Sequence, residues 1–554
     1  VLTIAAQFTG FNLLIENIIT MLGLAIGIDY VLFIITRFRE ELSAGRNVAD
    51  AVGVTISTAG KTILFSGLTV LVSVSGLLIV SAPTFQQIAI GMMAVIPVMV
   101  IIALTLLPAL LAILGPRINR LTPRPLRRAI ENPNAETGIW ARWSRLVMRR
   151  PVVWTVGVTL VLLTLSYPVL NLSLGITLGA EATEGSPAGD GITILNENFS
   201  PGELSPIQIV YESRDGQIQD GDLDLIHDLS ESLAADPAIS QVSSITTALD
   251  QSAGDHSRQT LDMALDDPET AQFLGFLLNV DGDQDLAVVT AVPATSPDAD
   301  EAYDLVDRIR GDIAPSTVED EQANVFVGGL SAEITDVSDE VLTKFPFVLL
   351  FVLSLSFLLL MTIFRSLLLP LKAILMNLLS VGAAYGLLVI VFQEGLGEAL
   401  FGFESTGHIQ VDLPLFTFAI VFGLSMDYEV FLLSRVKEHW ERTGTTYDAV
   451  AYGLEHTART ITSAAAIMVV VFSAFAFTSL LEVQQIGFAL AVAILIDATL
   501  IRILLVPATM RLLGEWNWWL PAWLDRILPQ VPLSERSLTI TERVAGQITD
   551  PKAR

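Results

Sequence analysis

Apolar residues fall along this chain in long unbroken runs, not at the spacing of one helix face or one strand face. A membrane crossing needs about 20 mostly apolar residues, each rising about 1.5 Å. Nine runs meet that requirement: roughly 17–37, 62–80, 87–112, 152–170, 345–364, 370–392, 413–434, 460–480 and 484–507. The run 152–170 holds no charged residue, and 345–364 is dominated by Leu, Phe and Val. One such run is compatible with a buried helix of a large soluble protein. Nine in one chain predict a polytopic α-helical membrane protein.

Between the fourth and fifth runs the pattern changes. Strands are predicted at 206–213, 238–245, 285–292 and 324–329, and amphipathic helices at 222–235 and 298–312. This βαβ–βαβ order predicts an α+β domain of the ferredoxin-like type. A polar, partly helical insertion interrupts it at 246–284, and from Ser331 a helical pattern runs down into the fifth span. The expected division is 1–112 as membrane helices of a first repeat, 113–151 as a basic linker and 152–170 as a further span. After these come 171–344 as the separate domain, 345–507 as five spans of a second repeat and 508–554 as a tail.

Composition agrees with that division. Charged residues make up 16% of the chain, apolar residues 52%, and the mean hydropathy is +0.59. Soluble domains carry about 25% charge, so a soluble enzyme and a disordered chain are both excluded. No Cys is present, which removes disulfides, thiolate zinc sites and a cysteine nucleophile. A net charge of −28 argues against a nucleic-acid partner. The charge is concentrated: residues 171–344 hold 35 acidic and five basic residues, and the rest of the chain 24 acidic and 26 basic.

Orientation follows from Lys and Arg in the short loops. Residues 113–150 carry nine Arg against two acidic residues, which predicts a cytoplasmic position. Counting crossings from there puts 38–61, 365–369, 435–459 and the C-terminal tail on the same side. The acidic segment 171–344 and the loop 393–412 then lie outside. The expected location is a plasma membrane. Trp516, Trp518, Trp519 and Trp523 cluster in the tail; they read as an interfacial anchor or as a lipid-sensing element.

Part of the chain repeats itself. IDYVLFIITRFREEL at 28–42 recurs as MDYEVFLLSRVKEHW at 426–440, an offset of 398 residues. The match aligns Asp29 with Asp427, Tyr30 with Tyr428, Phe33 with Phe431, Arg37 with Arg435 and Glu40 with Glu438 without a gap. It continues through Asp50–Ala51–Val52 and Asp448–Ala449–Val450, then through Gln86–Gln87–Ile88 and Gln484–Gln485–Ile486. Two copies in one orientation predict a parallel repeat with a pseudo-twofold axis along the membrane normal. The first copy has only three spans, the second five with a span and a domain before them. That imbalance, and a start at Val1 in place of Met, lead to the expectation that three more spans and a second exterior domain precede this chain.

The repeat carries the candidate chemistry. Asp29 and Asp427 stand within long apolar runs, where a carboxylate costs about 2.5–3.5 kcal/mol on insertion scales. The neutral acid is far cheaper there, so each Asp is a candidate to take up and release a proton. The Tyr that follows each Asp projects about 100° further round the helix. If the two helices face each other, Asp29 meets Tyr428 and Asp427 meets Tyr30. Two readings stand side by side: a proton relay, and plain interhelical hydrogen bonds. Duplication of the pair favours the relay. Glu429, opposite Val31 in the first copy, adds a carboxylate without an evident partner. Asp497 and Arg502 read as an accessory of the same path or as a charge-compensated pair.

GLAIGIDYVLFIITRFREEL (23–42), GLSMDYEVFLLSRVKEHW (423–440) and IGFALAVAILIDATLIRILLVPA (486–508) resemble the MMPL family, mycobacterial membrane protein large, of the resistance-nodulation-division superfamily. The resemblance covers essentially the whole chain. It implies twelve spans, of which these nine would be the fourth to the twelfth, and two exterior porter-like domains. It also implies proton-driven export of lipids or other hydrophobic molecules, with Asp29, Tyr30, Asp427 and Tyr428 as the relay. The expected function is therefore a transporter and not an enzyme, driven by protons with no cofactor, taking a lipid or other hydrophobic small molecule. A lipid- or sterol-sensing protein without active transport is the alternative. A subunit assisting protein export fits the signature less well. Oligomeric state is not legible.

Other features read as structural. Ala59–Gly60–Lys61–Thr62 ends like a phosphate-binding loop, but Thr55 stands where that motif needs Gly. Thr36, Thr62, Ser425 and Ser434 are hydroxyls of the kind that join packed membrane helices. The five His show no metal-ligand spacing, so no metal site is expected. Asp281, Asp283 and Asp285 read as a solvated acidic turn.

Overall fold

The computed structural model describes residues 13–119, 138–176, 187–214, 216–297, 299–319 and 323–528. Nine of its helices are long and apolar enough to cross a membrane. Three come first: α1 (Leu13–Ser43), α2 (Val48–Ile79) and α3 (Pro83–Ile118). A short amphipathic α4 (Ile139–Arg149) leads into the fourth span, α5 (Pro151–Asn171). The basic linker's Arg120, Arg124, Arg127 and Arg128, and the tail beyond 528, lie outside the described residues.

The second predicted span starts earlier than its apolar run. Asn47 caps α2, its side chain accepting from the Asp50 backbone N–H at 2.9 Å, and the helix continues through a π-helical turn at Ile56–Gly60. Ala59–Gly60–Lys61–Thr62 is therefore continuous helix and not a phosphate-binding loop.

After α5, β1 (Leu174–Gly175) and α6 (Pro187–Asn198) lead into an α+β domain. Its elements are β2 (Ile207–Ser213), α7 (Asp220–Ala234), β3 (Ile239–Ser243), β4 (Leu286–Pro293), α11 (Asp300–Arg308) and β5 (Ala323–Gly328). Between β3 and β4, the inserted segment forms three short helices, α8 (Ile245–Ala253), α9 (Arg258–Leu265) and α10 (Pro268–Leu274). The four strands make one antiparallel sheet in the order β3-β4-β2-β5. In β4, Ala287, Val289 and Ala291 are buried and alternate with more exposed residues, the period-2 pattern of a half-buried strand. They pack with Leu223, Ile226, Leu229 and Leu233 of α7 and with Leu305 and Val306 of α11 in a separate core.

Gly329 turns the chain out of β5 at φ +101°. A Cβ there would lie 2.8 Å from the Pro206 carbonyl, so the turn requires glycine. The fifth span, α12 (Leu330–Phe364), starts at once and runs 35 residues without a break. Then follow α13 (Leu368–Gln393), the short strand β6 (Ile409–Gln410), α14 (Leu413–Thr443), α15 (Thr446–Phe475) and α16 (Leu481–Trp518), closed by α17 (Ala522–Ile527). β6 pairs in parallel with β1, so the chain leaving α5 is tied to the chain that opens α14.

The two copies keep their register. α2 and α3 begin at Val48 and Pro83, and α15 and α16 begin at Thr446 and Leu481, each 398 positions on. The ion pair Arg37–Glu40, at 3.1 Å, recurs as Arg435–Glu438 at the same distance.

Burial separates central from peripheral helices. In the most apolar stretch of α14, 94% of residues are buried, against 11% in α5. The exposed side chains of α5 include Val152, Val153, Val156, Leu160 and Leu163. A surface of that kind has no place in water, and it is the expected lipid face of a multi-pass membrane protein.

α14 crosses α2 at a small residue. A Cβ on Gly423 would stand 3.2 Å from the Val70 Cα, so the two backbones approach as closely as glycine permits. Replacing Gly423 by Leu is expected to cost about 1–3 kcal/mol through overpacking, read as a lower melting temperature in detergent. Gly157→Leu on α5 is the control. A Cβ at Gly157 meets nothing within 4 Å, and the melting temperature should not move.

Candidate functional site

The middle of the helical bundle holds a compact set of polar side chains. Asp29 and Tyr30 on α1 and Asp427, Tyr428 and Glu429 on α14 are all buried, as are Asp497 and Arg502 on α16. The two aspartates retain 2% and 4% of their exposure, so neither points at lipid. Their helices meet through aromatic rings: Phe33 lies with its ring centroid 6.0 Å from that of Tyr428 and 4.6 Å from that of Phe431.

The two carboxylate–phenol couples are crossed between helices. The Asp29 carboxyl is in contact with the Tyr428 hydroxyl. Tyr428 also reaches the Met468 sulfur at 3.5 Å. On the other side a serine intervenes. Ser66 of α2 donates to the Tyr30 hydroxyl at 3.2 Å and faces the Asp427 carboxyl. Oδ1 of Asp29 and both carboxyl oxygens of Asp427 are buried without a hydrogen bond among the described residues. A buried ionised oxygen in that state costs far more than a neutral carboxyl does. The arrangement is thus suited to groups that gain and lose a proton.

Arg502 is the fixed cation beside them. Its guanidinium donates to Asp497 from Nε at 2.9 Å and from Nη2 at 2.6 Å, and it also donates to the Ser425 backbone carbonyl. It sits 4.8 Å from the Tyr428 ring centroid, a cation–π distance. The Arg502–Asp497 pair is therefore charge-compensated and part of the same cluster. A π-helical stretch, Asp497–Leu505, carries both residues, as π turns often do at functional positions.

Several members carry no signal in sequence. Ser66 looks like any hydroxyl in a span. Lys372 of α13 is buried and is the opposite charge facing Glu429. Its Nζ and Glu429 Oε1 have no hydrogen bond among the described residues. Asn377, also on α13, accepts from Ser425 at 2.8 Å. A lysine and an asparagine in an apolar run were the available clues; their partners were not readable.

A polar cavity of about 160 Å³ opens among the ends of α1, α2, α14 and α15 that carry the paired Arg37–Glu40 and Arg435–Glu438. Thr36, Lys61, Thr62, Ser434 and His456 also line it. Beyond it is a pocket of about 10 Å³ bounded by Tyr30, Thr62, Ser66 and Asp427. That is about the room one water needs. The two cavities share Phe33, Ala59, Thr62 and Phe431 in their walls.

Comparison with known proteins adds a family. The family model for the MMPL family matches residues 1–154 and 183–533. Over 526 residues the chain is 37% identical to the mycolic acid-containing lipids exporter MmpL11 of Mycolicibacterium smegmatis, covering 95% of this chain and 52% of that protein. It is 35% identical over 529 residues to the heme uptake protein MmpL11 of Mycobacterium tuberculosis, covering 95% and 51%. To the trehalose monomycolate exporter MmpL3 of M. smegmatis it is 30% identical over 565 residues, covering 97% and 52%. The chain spans about half the length of these relatives.

Removing one partner of a buried ion pair strands the other and costs about 3–5 kcal/mol. Arg502→Met is therefore expected to destabilise the protein by that order in detergent melts. The double change Asp497→Leu with Arg502→Leu should recover most of the loss. An equal loss in the double variant would show that the pair is not the cause.

Proposed function

Since the chain belongs to the MMPL family, we propose that it serves a proton-driven transporter that exports lipids or other hydrophobic molecules. The observation that carries this reading is the crossed pair of buried couples, Asp29 with Tyr428 and Asp427 with Tyr30 through Ser66, inside otherwise apolar helices. Two relatives bear the names of lipid exporters. The substrate class comes to this chain from them.

In the proposed mechanism Asp29 and Asp427 are the proton carriers. A proton crossing a potential of 100 mV releases about 2.3 kcal/mol. When Asp427 is charged, Ser66 turns its hydroxyl toward the carboxylate; when Asp427 is neutral, Ser66 keeps its bond to Tyr30. Arg502 lowers the cost of the charged state of both aspartates, and Asp497 holds that guanidinium in place. The cavity among the basic helix ends offers water a way toward Thr62, Ser66 and Asp427. Charge in the loops supports a cytoplasmic position for those ends. The α+β domain would then lie outside.

That domain is proposed as a ferredoxin-like porter unit. Its strand order β3-β4-β2-β5, antiparallel throughout, with one helix after β2 and one after β4, supports the assignment. The matching register of helix starts supports a parallel pseudo-twofold repeat. Alternation of charge at the aspartates would shift α1 against α14, and α12 links the membrane bundle to the porter unit.

The test uses the full-length protein in proteoliposomes with an imposed proton gradient. Asp29→Asn and Asp427→Asn are each expected to reduce lipid export to the level of protein-free vesicles while melting temperatures stay within a few degrees of wild type. An uncoupler should stop wild-type export. Export by either Asn variant at the wild-type rate sinks the relay. Lipid-dependent responses that survive the uncoupler would instead favour a sensor.

A further inference from the structure

The α+β domain carries a second cluster of titratable side chains, far in function from the membrane-embedded one. His227 stands on α7, Asp250 on α8 and His256 in the turn before α9. One ligand atom from each of the three lies within 4.8 Å of the others. Nδ1 of His256 is 2.9 Å from Asp250 Oδ1, and Nδ1 of His227 is 3.2 Å from Asp250 Oδ2. The two imidazoles stack with centroids 4.5 Å apart and planes 14° from parallel.

The outer nitrogens face carboxylates as well. Nε2 of His256 is 3.4 Å from Asp224 Oδ1, and Nε2 of His227 is 3.7 Å from Glu231 Oε1. With the proton on each Nε2, facing these carboxylates, the Nδ1 lone pairs become available to a cation, in place of the hydrogen bond that His256 Nδ1 makes with Asp250. Both free lone pairs would then point at the oxygens of one carboxylate. Three electron-rich atoms facing each other repel unless a cation lies among them. His227 shows a deficit already: its Nδ1 is buried and makes no hydrogen bond among the described residues, despite the nearness of Asp250.

Protons are one possible cation, but two protonated rings stacked this closely repel each other. One divalent ion satisfies both lone pairs and the carboxylate at once. The surroundings favour positive charge. Three carboxylates, those of Asp250, Asp224 and Glu231, face the two rings. We propose that His227, Asp250 and His256 bind a single divalent transition-metal ion, with Asp224 and Glu231 orienting the imidazoles through their Nε2 protons. Two imidazole nitrogens and one carboxylate oxygen suit zinc, with a water completing four-coordination. The ion would join α7, which packs on the sheet, to the inserted helices α8–α10.

The experiment titrates zinc chloride into the metal-free full chain in detergent, in competition with a chromophoric chelator. One equivalent is expected to bind, at least tenfold more weakly in His227→Ala, His256→Ala and Asp250→Asn. Asp262→Asn, on α9 and paired with Arg258, should bind as wild type does. Cobalt chloride added to the wild-type protein should give the intense visible bands of a four-coordinate site, a readout that depends on no variant folding. Absence of those bands, absence of stoichiometric zinc, or unchanged affinity in the His227→Ala/His256→Ala double variant overturns the proposal. Proton uptake by the two histidines with no zinc bound would overturn it too, and make the cluster a proton site.

Discussion

Charge in hydrocarbon is the constraint around which the bundle is organised. An ionised carboxylate or guanidinium surrounded by apolar helices demands a partner, since water is not at hand to supply one. Arg502 has one in Asp497, and further acceptors in Ser425. Asp29 has the Tyr428 hydroxyl, and Asp427 faces Ser66. The sequestration of α14 follows from the same demand. A helix carrying Asp427, Tyr428 and Glu429 in succession has no tolerable lipid-facing side, and 94% of its apolar stretch is accordingly enclosed. α5, with no charge in its apolar run, is free to sit at the edge.

Polar content differs between the two copies. At the positions matching Asp497 and Arg502 the first copy has Met99 and Leu104, and opposite Glu429 it has Val31. The permanent ion pair and the Lys372–Glu429 couple therefore belong to the second copy alone. The two aspartates are alike in sequence and unlike in setting. Asp29 leans on a phenol whose ring lies under a guanidinium, whereas Asp427 is separated from its phenol by a serine. In the proposed relay this inequality gives the two proton-carrying steps different energies, which a transport cycle with an order of events requires.

Spans were legible because hydrocarbon imposes a requirement on composition and length that a single chain displays openly. Their bounds were less so. α12 begins at Leu330, about fifteen residues before its apolar run, because the helix continues through a polar segment with acidic residues such as Glu333 and Asp336 on it. The strands were legible from alternation, as in Leu286–Pro293. Contacts between distant segments were not. Lys372 and Glu429 stand on different helices, and nothing in their spacing pairs them. His227, Asp250 and His256 come from a helix, a second helix and a turn. Their separations match no ligand motif, so no metal site was expected from sequence, and folding alone brings the rings together.

One feature of α12 is mechanical. Thirty-five residues of uninterrupted helix measure about 52 Å, and the glycine turn at Gly329 fastens one end directly to a sheet strand. A stiff rod of that length amplifies angles. Ten degrees of tilt about its foot carries its far end through about 9 Å. In the proposed cycle, a tilt of that size at the bundle would carry the attached domain through the same distance, by leverage alone.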